Sequence, residues 1–495
     1  MESKMCNNSS FGQGSNLICY DRIDECQQLL QQCYALMDSI MEWLSFLNTS
    51  EREASTDFNS TQEVKEGLLR LGISCKKEAQ FLEGLLQNEE QIQSHHIRGS
   101  NLPYLEAVYR CARQETGLVS IFKSVRYSVP IENTADGQDA KRSKVEKYRI
   151  DVISCHGAKW IKVSARNARW LLCQNSMVDS VIPEDSMESD PIPLELKANV
   201  MLLVASQNHL HFRAPEVCFQ FSCFGDRLQE KHRPMPIPTS LFRRLNEIGV
   251  SVAEIPSLAV DRGFNFGSWK YDPSQVATPE LNLDITTLLA LASQLTHHGR
   301  FSELLPHPPR NENDALKIQL QQEKQRPIMP LLAHYLAGRI LTTTQTCYDK
   351  FMSIVSTIAG PLEALRARIL FRTHNNDSLL IQHDLDRRDD DPFKGWKLLV
   401  GTNSAPDVQV LPDSPSASFQ SMIACNSLRS YTDIHTIAFG SGHQRKLTTV
   451  TANIGVARSI SGASASCVYP IDFPDGDYFL VHEPRSLAEN KLVAN

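Results

Sequence analysis

The stretch Leu281–Gly299, LNLDITTLLALASQLTHHG, decides the fold class. It opens with the apolar–polar alternation of a β-strand, passes Asp284, and turns at once into the apolar spacing of a helix. An acid at a strand–helix junction has two readings. It caps the helix by accepting a backbone N–H, or it presents a carboxylate where ligands of open α/β sheets collect.

Downstream of it, LLAHYLAGRIL, TTTQTCYDKFMSIVSTIAG and PLEALRARIL read as helices or short strands with helices, and VQVLP reads as a strand. The segment IHTIAFGSGHQRKLTTVTAN reads as a strand, a glycine turn, a helix and a second strand ending in TAN. CVYPIDFPDGDYFLVHEP reads as a hairpin around Pro-Asp-Gly. Strands alternating with helices predict a parallel α/β sheet. Asp284, the Gly440–His443 turn and Thr451–Asn453 are all expected at the carboxyl ends of strands. That convergence is the main functional signal in the residues themselves. RTHNNDSLLIQHDLDRRDDDPFKGW holds a block of aspartates without the Asp/Asn-Gly spacing of a calcium loop, and reads as a solvated surface insertion.

Upstream, Ile23, Cys26, Leu29, Cys33, Leu36, Ile40, Trp43 and Leu47 recur at three- and four-residue steps and predict a long helix. Helical patterns resume over Val64–Leu71, Glu78–Gln87 and Leu102–Ala112, which together suggest a helical hairpin or small bundle. KYRIDVISC, HGA and KWIKVSAR then read as a β-hairpin, continued by a helix in NARWLLCQ. NSMVDSVIPEDSMESDPIP reads as a loop, VCFQFSCF as a buried strand, PTSLFRRLNEIGV as a helix and SVAEIP as a short strand. Asp151 and Lys162 flank the hairpin turn as a carboxylate and lysine do in one group of metal-dependent nucleases. That group carries a second acid two residues before the lysine, where this chain has Trp160. The pair therefore reads as structural.

With 495 residues, 41% hydrophobic and 22% charged, the chain suits two domains with irregular insertions. A net charge of −7 argues against bulk electrostatic coating of nucleic acid or membrane, though a local basic groove is allowed. The polar start MESKMCNNSSFGQGSN has no secretory h-region, and no apolar run is long enough to span a bilayer. The thirteen cysteines form no C-x-x-C pair and read as free thiols in a reducing compartment, the cytoplasm or the nucleus.

Several stretches are familiar: NLDITTLLALASQL, YDKFMSIVSTIAGPLEALRA, FGSGH with TTVTANIGVARS, VHEPRSLAENK, and in the first half SNLPYLEAVYRCA, DVISCHGAKWIKVSARNARWL and LFRRLNEIGVSV. On these the sequence resembles the eukaryotic family catalogued as domain of unknown function 1308, whose C-terminal part looks like a PIN-like nuclease fold. The resemblance covers most of residues 20–265 and 278–491. It implies a disordered tail over 1–19, an N-terminal helical plus mixed α/β companion region, and a C-terminal PIN-like parallel-sheet α/β domain. A disordered Asp-rich insertion near 372–405 would interrupt the latter.

PIN-like folds hydrolyse phosphodiesters with acids gathered around Mg²⁺ or Mn²⁺. Carried over on this resemblance, Asp284 takes the first acidic position and Gln345 falls where relatives carry a glutamate. His443 falls where they carry an aspartate, and Asn453 takes the last position. Thr286, Ser441 and Thr451 complete the implied polar pocket, while Asp349 and Asp433 lie nearby but out of register. One carboxylate with a Gln, a His and an Asn offers little charge to a hard dication. The expectation is a catalytically degenerate nuclease fold that binds RNA or a protein partner, with no membrane and no DNA-specific motif. Its alternative is a Mg/Mn-dependent ribonuclease, the only case in which a cofactor is expected. The enzyme reading requires Asp284 and at least two other carboxylates within reach of one ion.

Overall fold

The computed structural model describes residues 13–53, 58–88, 92–130, 143–165, 193–222, 239–255, 272–297, 315–375, 396, 406–425, 432–464 and 479–487. The chain divides into two compact units. One comprises 1–127, 145–205 and 215–272, the other 128–144, 206–214 and 273–495.

The first unit opens with α1 (Gln13–Glu53) and α2 (Phe58–Leu86), followed by the short α3 (Ser94–Arg98) and α4 (Leu102–Gln114). Residues 13–19, read from sequence as part of a tail, are the first turns of α1. The two helical patterns after Val64 are one helix, α2. The strands are β1 (Ser120–Pro130), β2 (Ser143–Ser154), β3 (Lys159–Ser164), β4 (Glu216–Ser222) and β5 (Ser251–Ile255), in sheet order β1-β2-β3-β4-β5. β2 and β3 are the antiparallel hairpin expected from sequence, with the tight turn at Cys155–Gly157, where all three residues have positive φ. β4 and β5 add in parallel. One sheet face, with Val152, Ile161 and Val163, packs on α1, α2 and α4. The other, with Ile153, Trp160, Phe219 and Phe221, packs on α5 (Leu194–Gln207) and α6 (Thr239–Glu247). α5 buries Leu194, Ala198, Met201 and Ala205 but also exposes Leu196 and Leu203, so the helical period is weak in its sequence. The helix and loop expected over 167–192 lie outside the described residues.

The second unit is an all-parallel sheet. Its strands are β6 (Glu280–Leu283), β7 (Ile340–Thr344), β8 (Val408–Leu411), β9 (Thr448–Thr451) and β10 (Phe479–Val481). Their order is β10-β9-β6-β7-β8, and each neighbouring pair is parallel. α7 (Ile285–Ala292), α8 (Gln345–Ile358) and α9 (Pro361–Leu370) follow β6 and β7, and α10 (Asp433–Arg445) and α11 (Ile454–Ser464) flank β9. One face buries Leu281, Leu283, Leu341, Val450 and Leu480. The other carries Asn282, Thr342 and Thr449, all buried, with Thr342 donating its hydroxyl to Leu281 O at 2.9 Å and Asn282 donating to Ala438 O at 3.0 Å. Buried polar strand residues of this kind are stable only when so paired.

Two readings change here. The segment FGSGH is not a turn after a strand but the interior of α10. Its glycines serve close packing: a Cβ on Gly442 would lie 2.6 Å from Thr449 Oγ1, and one on Gly440 2.9 Å from Pro415 Cβ. Phe479–Val481 form β10, a parallel neighbour of β9, and the Pro-Asp-Gly tip lies outside the described residues. Within the Asp-rich stretch, Arg372–Asn375 are helical and Trp396 is fully buried, its Nε1 donating to Leu291 O at 3.1 Å.

Candidate functional site

The sheet order reverses between β6 and β9, which makes the carboxyl ends of these two strands the switch point of the open sheet. Asp284 stands there, immediately after β6, and is the N-cap of α7. Its Oδ1 accepts from Thr287 N at 3.0 Å, from the Thr286 hydroxyl at 2.6 Å and, more weakly, from the Thr287 hydroxyl at 3.3 Å. Its Oδ2 accepts from the Thr451 hydroxyl, at the end of β9, at 2.6 Å. Thr286 Oγ1 in turn accepts from Ala452 N at 2.7 Å, and Thr451 Oγ1 from Asn453 N at 2.9 Å. Asp284 thus bridges the crevice rather than lining it, and is 4% exposed.

His482, which follows β10, completes the cluster. Its Nδ1 lies 2.8 Å from Glu483 O, and its Nε2 lies 2.9 Å from Thr287 Oγ1. A carbonyl only accepts, so Nδ1 carries the proton and Nε2 accepts from Thr287. Val450 O at 2.8 Å and Asp284 Oδ1 at 3.3 Å from Thr287 Oγ1 compete for the same single hydroxyl proton. Burial lowers the His482 pKa, against the opposing pull of Glu483 O and the Asp284 charge. Thr287 is fully buried, so its oxygen faces no substrate. His435, in the first turn of α10, also feels the Asp284 charge, while burial lowers its pKa.

The sequence-derived set separates into two groups. Asp284, Thr286 and Thr451 form one hydrogen-bonded unit, with Asn453 joined through its backbone. Gln345 begins α8 and donates to Asp349 at 2.9 Å, one turn on. Ser441 and His443 are not at this end at all. They lie near the C-terminus of α10, which leads into β9, so they stand by the amino ends of the strands. Ser441 Oγ accepts from Ser414 N at 2.9 Å, and His443 Nδ1 lies 2.7 Å from Ser416 Oγ. The ring packs edge-on against Phe212, and burial pushes its pKa down to about 4, with Lys446 adding to the shift. Sequence reasoning assigned no role to His482, nor to Asp413, which accepts from Thr346 N at 3.1 Å and its hydroxyl at 2.6 Å after β8. VHEP contained the first signal. The second had none beyond following a strand.

A Mg²⁺ or Mn²⁺ centre needs several carboxylate oxygens free to coordinate. Both oxygens of Asp284 are occupied by protein donors, all of them from threonines. Among the described residues, no three His, Cys, Asp or Glu side chains converge as a metal-holding group. The residues present do not fit the ion.

Fold and site together define a parallel α/β domain whose switch point is closed by a carboxylate–threonine network. Residues 281–379 match the family described as protein of unknown function (DUF1308). The match runs from β6 through α7, β7, α8 and α9 into the start of the Asp-rich stretch. No solved structure matches the chain.

Proposed function

We propose that the second unit is a PIN-like domain that has lost its metal centre and serves as an RNA-binding module. The observation that carries this is the saturation of Asp284, whose two oxygens accept from Thr286, Thr287 and Thr451 in place of a cation. The strand order, with an acid after the central strand β6, supports the PIN-like assignment. The buried free thiols Cys26, Cys33, Cys75, Cys111, Cys218 and Cys347 support a reducing compartment, cytoplasm or nucleus. No helix among the described residues is long and apolar enough to cross a membrane.

The test is single-stranded RNA incubated with the purified full chain and Mn²⁺. The expected result is intact RNA, with binding that weakens as salt rises. Mn²⁺-dependent cleavage that disappears in Asp284→Asn would replace this reading with the ribonuclease. Absence of both cleavage and RNA binding would leave a protein partner for the module.

A further inference from the structure

Two cavities of the first unit open side by side along α2, of about 470 Å³ and about 430 Å³. Ser74, Phe122 and Arg149 line both, so they form one trough. Its volume is in the range of small-molecule sites.

The shared wall is strained. Phe122 has φ +55°, a conformation that a bulky residue rarely adopts. It is held from several sides. Arg70 Nη1 donates to Phe122 O at 3.1 Å, the Arg149 guanidinium lies 4.8 Å over the Phe122 ring, and Tyr104 stacks on it at 6.2 Å. Behind it α2 approaches β1 so closely that a Cβ on Gly67 would meet Ile121 O at 2.6 Å.

The charges along the trough are unevenly used. Glu63 is paired with Lys123 at 2.7 Å and Glu66 with Arg70 at 3.1 Å. Glu78 accepts from Ser100, from Asn101 N and from the Asn101 side chain. Two cations are left over. Lys77 has no hydrogen bond and Arg149 donates only to the Tyr104 hydroxyl, at 3.4 Å, with no carboxylate in ion-pair reach of either among the described residues. Beside them Phe81 is 46% exposed, a large aromatic surface on the same cavity.

An apolar ligand would leave two cations desolvated without an anion. An acidic peptide would use the cations but not the aromatic surface. A planar base carrying a phosphate uses both. We infer that this trough is a nucleotide site, in which Arg149 and Lys77 hold the phosphate and Phe81 stacks on the base. The nucleotide is either free or the exposed unit of a single RNA strand. Only the second source rests on the RNA-binding reading above.

The experiment is fluorescence anisotropy of the full chain with labelled hexaadenylate, and titration calorimetry with AMP, at low salt. Arg149→Gln and Phe81→Ala are each expected to weaken binding about tenfold, and Arg149→Gln to reduce the salt slope by about one. Lys77→Gln, at an exposed side chain without a hydrogen bond among the described residues, tests the same site should Arg149→Gln disturb the fold. Displacement of hexaadenylate by AMP identifies a free nucleotide as sufficient; AMP binding without RNA binding supports the trough and removes the RNA module. Failure of both probes to bind, or wild-type affinity in a Lys77→Gln/Phe81→Ala variant, overturns the inference. In the second case RNA binding survives as a property of the chain but not of the trough.

Discussion

Asp151 in the first unit and Asp284 in the second are both buried carboxylates, and they are held by different means. Asp151 is completely buried and accepts from the Tyr104 hydroxyl at 2.7 Å, from Val163 N at 2.9 Å and from Lys162 Nζ at 3.1 Å. Its charge is met by a cation that is itself partly in solvent, at 25% exposure. Among the described residues Asp284 has no cation at hydrogen-bond distance, and it is stabilised by one backbone N–H and threonine hydroxyls. Isolated dipoles at a helix N-terminus suffice for one carboxylate, as in ordinary capping. They do not suffice for a metal site, which needs several anions. The same residue type thus ties a lysine into a sheet in one unit and bridges the strand ends at the switch point in the other.

The sharpest way to break the comparison is to remove each acid in turn. Asp151→Ala leaves Tyr104, Lys162 and Val163 N without their acceptor, one of them a charge. We expect a loss of about 3 kcal/mol in chemical denaturation. Asp284→Ala removes a cap and releases hydroxyls that retain other partners, so the expected loss is smaller, about 2 kcal/mol. Asp284→Asn keeps an acceptor for Thr287 N and should cost less again. Equal losses for the two alanine variants would show that the lysine adds nothing to Asp151.

What sequence showed of these sites follows from the range of the forces involved. The junction at Asp284 is legible because strand and helix periods change at that residue. The β2–β3 hairpin is legible from alternation on both sides of a turn. FGSGH is not, because glycine signals a turn locally, whereas here Gly442 lets a helix pass close to Asn282 and Thr449 on the sheet. His482 reaches Thr287 across 195 positions of sequence, and no periodicity connects them. β1 escaped notice for a related reason: its place is set by Gly67 and Arg70 of α2, on another element. The separation of His443 from Asp284 follows from the helix direction alone, since α10 runs into β9 and so ends by the amino ends of the strands, opposite Asp284.

The smallest expected effect tests that separation through acid sensitivity. Burial lowers the pKa of His211, His297, His435, His443 and His482 in the second unit, and in the first that of His156. For His443, lowered to about 4, the neutral form is favoured in the folded state, so the unfolded chain binds the additional proton. Its contribution is complete above the unfolded pKa of about 6.5 and is lost as pH falls toward about 4. Between pH 7 and pH 5 the chain should therefore lose stability, with His443 accounting for on the order of 1 kcal/mol. His443→Gln, which keeps a polar group near Ser416, should flatten that pH slope without altering RNA binding. Hydrogen exchange at pH 5 should rise in the amides of β9 and α10 before those of β2 and β3. An unchanged slope in the variant would show that His443 is as accessible to protons in the fold as in the open chain, contrary to its packing against Phe212 and Phe419.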